Sequence, residues 1–371
     1  MNIGFDAKRL FLNNRGLGNY ARTLIMNLLQ YARDNEYYLY TPELRDGLVS
    51  KELLEDSLTH IRSPKGRGRL ITSYWRTVSL GHVLARDQLD IFHGLSHEIP
   101  LTINRAGAKV VTTVHDLIFV RHPEFYNPID RWIYYKKVKQ AIHRSDKIIA
   151  ISEQTKRDVI DEFPLAKGKI EVVYQTCNSA FYQKRTDEEK EAVQARYHLP
   201  DRYLLFVGAL NENKNVEVII RAMNENRDIG LHLVIIGKGH QYREKLCHLL
   251  DKLDMMYAVH FASDVAHPSP KELSVIYQLA RALVFPSYYE GFGIPIIEAR
   301  FSGIPVLASN SSCLHEAGED SAMYFPPDDY AALAGLISDL QNDNERAMDP
   351  PLKFSAEKVT SDLVSLYNSL K

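Results

Sequence analysis

Short apolar, strand-like runs alternate with helical stretches along this chain, and the alternation starts over once. In a first set the strands fall near Asn2–Asp6, Tyr37–Tyr40, Ile91–His93, Lys109–His115, Lys147–Ile151 and Ile170–Val173. Helical stretches there include Asn19–Arg33, Ser73–Arg86, Asp130–Arg144 and Glu153–Phe163. A second set opens with Tyr203-Leu204-Leu205-Phe206-Val207-Gly208 and continues through Leu231–Ile236, Val259–Phe261, Ala282–Phe285 and Pro305–Ala308. Strands separated by helices pair in parallel, so the pattern predicts α/β architecture with two doubly wound, Rossmann-like units. Such units collect ligands at the carboxyl ends of their strands. A chain of 371 residues fits two ordinary cores. The charged segment from Gln183 to Arg196 is the expected crossing, giving domains 1–183 and 184–354.

Composition narrows the class. A hydrophobic content of 45% with 25% charged residues suits a globular protein. Cys177, Cys247 and Cys313 are widely spaced, with no C-x-x-C, so a reducing, cytoplasmic setting is expected. The N-terminus opens on a strand-like segment without a signal-peptide core, and no apolar run reaches the ~18 residues that would span a bilayer. The net charge of −2 is uneven. Residues 1–183 hold 26 Lys and Arg against 20 Asp and Glu, or +6, and the remainder carries −8. A basic front half suggests an anionic partner on that side, although ordinary solvated faces produce the same imbalance.

The most telling local string runs Phe285-Pro286-Ser287-Tyr288-Tyr289-Glu290-Gly291-Phe292-Gly293-Ile294-Pro295-Ile296-Ile297-Glu298-Ala299. It has the form of a strand end, a glycine loop and a helix start, with Pro295 suited to the first helical turn. A loop of this kind directs backbone N–H groups and a helix N-terminus at whatever docks there. Glu290 before the turn and Glu298 within the helix add two acceptors, which suits a ligand that is part phosphate and part polyol. Capping chemistry alone produces junctions of this kind too.

With Gly303-Ile304-Pro305-Val306-Leu307-Ala308 following as the next strand, the string closely resembles the signature of the retaining glycosyltransferases of family 4, in which seven residues likewise separate two glutamates. The resemblance covers nearly the whole chain. It implies a GT-B fold with an acceptor-side N-terminal domain, a nucleotide-sugar domain, and a C-terminal helix, residues 355–371, that crosses back onto the first domain. It places Glu290 on donor-sugar hydroxyls, Glu298 on the ribose and Gly237 near the base, with Gly291, Phe292 and Gly293 positioning the sugar.

Lys214 lies in Val207-Gly208-Ala209-Leu210-Asn211-Glu212-Asn213-Lys214-Asn215, a loop after a buried strand. A cation there can hold a diphosphate and stabilise the charge that grows as it leaves. The resemblance gives Lys214 that role and places Gly208 at the donor. Two arginines common in the family are replaced here by Ala209 and Asn213, which thins the cationic clamp and raises Arg15 as a helper.

Gly16-Leu17-Gly18-Asn19-Tyr20-Ala21 matches G-x-G-x-x-A, with Glu43 as a candidate ribose acid, and so admits a nicotinamide enzyme. A dinucleotide fingerprint emerges straight from its strand, whereas nine residues separate Asp6 from Gly16. The resemblance instead makes Gly16 and Gly18 part of a loop beneath the donor diphosphate. His115, with Asp116, ends a central strand and matches the family's histidine beside the donor sugar, as a hydrogen-bonding group rather than a nucleophile. His93 is a weaker candidate on the acceptor side.

No D-x-D or other metal-ligand spacing occurs, so no metal and no cofactor are expected beyond a donor such as GDP-mannose or a UDP-sugar. Aromatic and cationic residues interleave from Arg131 to Lys139, and a basic stretch runs from Arg62 to Arg69. No nucleic-acid module accompanies them. Contact with the inner face of a membrane is the better functional reading, and an ordinary half-buried helix accounts for them equally. The resemblance thus implies a retaining, metal-independent hexosyltransferase, mannose favoured, acting on a glycan or lipid-linked saccharide in cell-surface polysaccharide synthesis. A nucleotide-sugar epimerase or hydrolase on the same fold, and a non-catalytic nucleotide-sugar-binding protein, are the rival readings.

Overall fold

The computed structural model describes the chain except for residues 46, 65–67, 69–73, 76–78, 106 and 343–349. Half of the basic stretch Arg62–Arg69 and part of the expected helix Ser73–Arg86 therefore lie outside the described residues; the latter is helical over Leu80–Arg86. Two compact units emerge, Met1–Thr176 with Lys353–Lys371, and Cys177–Leu352. The division falls seven residues before the crossing expected from the charged segment. Phe181 packs edge-on against Tyr277, and Arg185 donates to Ser274 Oγ at 2.9 Å, so the residues after Thr176 belong with the second core.

Among the described residues the first unit has β1 (Asn2–Asp6), β2 (Glu36–Tyr40), β3 (Thr59–Arg62), β4 (Ile91–Gly94), β5 (Lys109–Val114), β6 (Lys147–Ala150) and β7 (Ile170–Val172). They form one parallel sheet in the order β3-β2-β1-β4-β5-β6-β7. The central strand β4 and, after the exposed Lys109, β5 are buried because helices cover both of their faces, and His93, Thr112 and Thr113 stand among their apolar residues. The helix Ala356–Asn368 closes this unit, burying Leu363, Leu366 and Tyr367 in the cluster that holds Phe5, Ile25 and Leu28. One polar chain runs through that core. Tyr367 Oη lies 2.7 Å from His93 Nδ1, His93 Nε2 lies 2.8 Å from Thr113 Oγ1, and Tyr20 Oη lies 3.1 Å from the same hydroxyl.

The second unit has β8 (Tyr203–Val207), β9 (His232–Ile236), β10 (Val259–Phe261), β11 (Ala282–Phe285), β12 (Val306–Ser309) and β13 (Met323–Phe325). Their order is β10-β9-β8-β11-β12-β13, again parallel. The winding reverses at β8, between β9 and β11. Loops leaving β8 and β11 therefore diverge, and the gap they leave is where an open α/β sheet accepts a ligand.

Candidate functional site

The loops on either side of that reversal carry the residues singled out by the sequence. After β8 the chain turns at Gly208 and forms a short helical turn over Glu212–Lys214, with Asn215 left-handed at φ 49°. After β11 it runs through residues 286–293 to Gly293, whose φ of +110° only glycine adopts readily, and enters the helix Ile294–Ser302. A Cβ on Gly293 would also lie 3.1 Å from Leu314 Cδ2. The predicted strand, glycine turn and helix thus fall where the string implied.

Lys214 Nζ and Glu290 Oε1 are in direct contact, joining the two loops, and both side chains are largely shielded from solvent. The Glu290 backbone N–H donates to Ser312 Oγ at 3.0 Å, and Cys313 Sγ donates to the Glu290 carbonyl at 3.1 Å. Glu290 is thereby fixed at backbone and side chain, and its amide, which the loop pattern offered to a ligand, is already used. Phe292 is buried, while Gly291 lies at the half-buried tip of the turn.

Glu298 sits in the second turn of its helix and accepts a hydrogen bond from Tyr277 Oη at 2.7 Å. Burial raises its carboxyl to about 7, against which the Tyr277 bond acts to lower it. Cys177 lies close enough for the Glu298 charge to reinforce the rise that burial imposes on its thiol. Gly237, after β9, is required by a close backbone approach, because a Cβ there would stand 1.8 Å from the Gly208 carbonyl oxygen. Its N–H donates to Ser263 Oγ at 2.9 Å. Gly208 and Gly237 therefore bring the β8 and β9 loops together.

In the first unit, Gly16 and Gly18 start the helix Gly16–Tyr31, which follows a separate helix over Lys8–Leu12. The intervening helix explains the long spacing from Asp6 and removes the geometry that a dinucleotide fingerprint needs. Gly18 is there because a Cβ would clash with the Asn13 carbonyl oxygen at 1.8 Å, whereas Gly16 and Arg15 are exposed. Glu43 is exposed and pairs with Arg45.

His115 follows β5 and is buried. Its Nε2–H donates to the Leu95 carbonyl at 2.8 Å, and Nδ1 accepts from Gln175 Nε2 at 3.2 Å. Tyr20 meets the ring edge-on with centroids 4.6 Å apart. Burial, with His97 adding to it, lowers His115 to about 3, so the imidazole is neutral with both nitrogens engaged. His93 does not line a surface: it is wholly buried in the polar chain described above, and burial lowers it to about 3 as well.

Sequence reasoning treated Asn213 as a missing arginine. In the structure its carboxamide donates to the Tyr289 carbonyl at 2.8 Å and accepts from the Tyr289 N–H at 3.1 Å. Tyr277 was missed as well, although Tyr277 and Glu298 lie 21 residues apart and nothing in the string marks them as partners. Asp329, in the acidic pair Asp328-Asp329, is a helix cap, accepting from the Ala332 N–H at 2.8 Å. Among the described residues no group of three or more His, Cys, Asp or Glu side chains is placed to hold a metal ion.

Residues 187–350 match the Glycosyl transferases group 1 family, and residues 14–179 match Glycosyltransferase Family 4. The chain belongs to the family 4 glycosyltransferases. It is 28% identical over 299 residues to O-antigen chain mannosyltransferase B of Escherichia coli, covering 77% of this chain and 76% of that protein. Among solved structures, sucrose-phosphate synthase from Thermosynechococcus elongatus superposes with a TM-score of 0.78 at 20% identity, over 100% of this chain and 99% of that one. Anabaena HepE, solved in complex with UDP-glucose, gives a TM-score of 0.71 at 17% identity, over 100% and 98% of the respective chains. These likenesses are of fold, and the fold is GT-B. The chain is a glycosyltransferase with its candidate-site loops at the reversal of the second sheet.

Proposed function

We propose that this glycosyltransferase moves a hexose, mannose in preference, from a nucleoside-diphosphate sugar to a glycan or lipid-linked saccharide, with retention of configuration and without a metal. The observation that carries the reading is the contact between Lys214 and Glu290 across the two loops, with Glu298 in the second turn of the adjoining helix. One cation and two carboxylates around a sheet reversal match a ligand with a diphosphate, a sugar and a ribose. The preference for mannose, and for surface-polysaccharide synthesis, rests on the E. coli relative's name. HepE's bound UDP-glucose keeps UDP-sugars in view.

The Lys214–Glu290 contact is an exchangeable pair in this reading. A diphosphate takes over the ammonium, and the freed Glu290 carboxylate accepts from sugar hydroxyls. Lys214 then meets the charge that grows on the departing phosphate, where fixed charge is most effective. Glu298, when ionised, accepts from the ribose hydroxyls. Among the described residues we assign none as a nucleophile beneath the sugar, and His115 is a neutral, doubly bonded group that sets local shape. Front-face attack by the acceptor, with its proton passing to the leaving phosphate, is the route we favour. Gly208 serves it by backbone fit, through its close approach to Gly237.

A surface role accompanies the transfer. The unit holding residues 1–176 and 353–371 carries 29 Lys and Arg against 22 Asp and Glu. On its helix Pro128–Arg144, Trp132 is 59% exposed and Ile129 70% exposed, and Lys136 lies over the Trp132 ring at 3.8 Å. We read this as contact with an anionic lipid surface. No helix among the described residues is long and apolar enough to cross a membrane.

Thermal-shift titration with GDP, UDP, GDP-mannose and UDP-glucose, with and without EDTA, tests the donor reading, since ligand binding raises apparent stability by mass action. Stabilisation by a nucleotide sugar that survives EDTA, and is lost in Glu298→Ala, is expected. Equal curves with all four ligands, or a response that needs added magnesium or manganese, refutes it.

A further inference from the structure

Asn213 holds the site together in a way the family pattern does not announce. Its side-chain amide makes the paired donor and acceptor bonds to Tyr289 given above, and its own carbonyl accepts from the Tyr288 N–H at 2.9 Å. Three hydrogen bonds therefore run from one residue to the two residues that precede Glu290. Asn213 is only 7% exposed, and Tyr289 is likewise buried, so these bonds are shielded from competition by water. The next residue, Lys214, reaches Glu290 itself, and the one after, Asn215, donates from Nδ2 to the Pro327 carbonyl at 2.7 Å. Asn213 and Asn215 thus fasten the β8 loop to two other segments, and Lys214 projects between the fastenings.

We infer that Asn213 is a positioning residue for donor-sugar recognition: its carboxamide sets the β11 loop so that Glu290 stands at the sugar while Lys214 holds the diphosphate. This rests on the donor-site reading proposed above. The chemistry is specific to a carboxamide, which alone offers an N–H and a carbonyl side by side to the backbone N–H and C=O of one residue. An aspartate of the same shape turns a carboxylate toward the Tyr289 carbonyl and repels it. An alanine leaves both buried Tyr289 groups without these partners. In either case the β11 loop and Glu290 lose their register, while Asn215 still fastens the β8 loop to Pro327 and Glu298 keeps its bond to Tyr277.

The role predicts a split that a merely structural residue does not produce. The quantity to measure is the ratio of dissociation constants for a nucleoside diphosphate and for its sugar, with GDP against GDP-mannose and UDP against UDP-glucose, on the full chain by calorimetry. In N213A and N213D the sugar's share of the affinity should fall about tenfold or more, as for a lost hydrogen bond to a charged group. Binding of the nucleoside diphosphate alone should stay within about threefold. In an E290A background, N213A should cause no further loss, because the two residues act through one contact. Melting curves identify any variant that fails to fold, and N213D, isosteric with asparagine, carries the test if N213A does. Equal weakening of both ligands, or unchanged sugar affinity in N213D, overturns the inference. If E290A itself leaves nucleotide-sugar binding intact, the donor-site reading fails instead, and the two failures are distinguishable.

Discussion

Removing one oxygen atom from Tyr277 should move the pH at which this protein takes up nucleotide. Glu298 is buried, which raises its carboxyl to about 7, and the Tyr277 hydroxyl at 2.7 Å is the hydrogen bond that favours its ionised form. Tyr277→Phe deletes that bond and keeps the ring, which packs edge-on against Phe181 with centroids 5.3 Å apart. A hydrogen bond to a charged group contributes about 1.5–3 kcal/mol, and one pH unit corresponds to about 1.4 kcal/mol. The carboxyl should therefore rise by about one to two units. The Glu298 carboxylate accepts ribose hydroxyls only when ionised in our reading, so affinity should increase with pH through about 7 in the natural protein. In Tyr277→Phe the same rise should be centred near pH 8–9, leaving binding at pH 7 weaker by roughly 5- to 50-fold. Calorimetric titration of GDP and UDP from pH 5.5 to 9.5, with a melting curve at each pH, measures this. A midpoint that does not move, or affinity flat across the range in both proteins, refutes the reasoning.

Lys214→Ala should lower turnover by about 10- to 100-fold with a smaller change in KM for the donor, because the charge it meets peaks in the transition state; steady-state kinetics check it, and an unchanged kcat counts against Lys214. The buried imidazoles of His93 and His115, lowered to about 3, bind no proton in the folded protein at neutral pH. The unfolded chain does take protons below about 6.5, so their contribution is present above that pH and is lost as the pH falls toward about 3. Stability should drop by about 1.4 kcal/mol per histidine per pH unit in that window, measured by denaturant unfolding at pH 7, 6 and 5, and a flat profile contradicts it. Anionic vesicles should sediment the protein at low salt and release it at high salt, since each Lys or Arg at such a surface contributes about 1 kcal/mol and screening is stronger in salt. Trp132→Ala should weaken that binding, and its absence at low salt would reduce the basic aromatic helix to an ordinary solvated face.

The string from Phe285 to Ala308 made the second sheet's β11, glycine turn, helix and β12 legible, because strand, φ-permissive turn and helix each leave a local mark. The central strands were legible for the same reason: both faces are buried, so β8 is an unbroken apolar and aromatic run and β5 is rich in β-branched valine and threonine. Two of the four edge strands, β3 and β13, lack that mark. Thr59–Arg62 is only half-buried, and Met323–Phe325 is three residues long, so β3 and β13 are fixed by their pairing partners and not by their own composition. The identities of Lys214, Glu290 and Glu298 as candidates came from sequence. Their electrostatics did not, since the rise at Glu298 comes from atoms that surround it in space, with Tyr277 opposing it from another helix. His93 shows the limit most plainly. At the end of a strand it reads as a working group, yet its partners are Thr113 and Tyr367, and a contact 274 residues distant in sequence leaves no local trace. Asn213 is the converse: read as an absent arginine, it becomes a clasp only once β8 and β11 are neighbours in the sheet. Periodicity and turn chemistry are properties of adjacent residues, so the chain alone determined the units and their loops. Burial, hydrogen-bond partners and proton affinity depend on distance in space, and those only the tertiary structure decided.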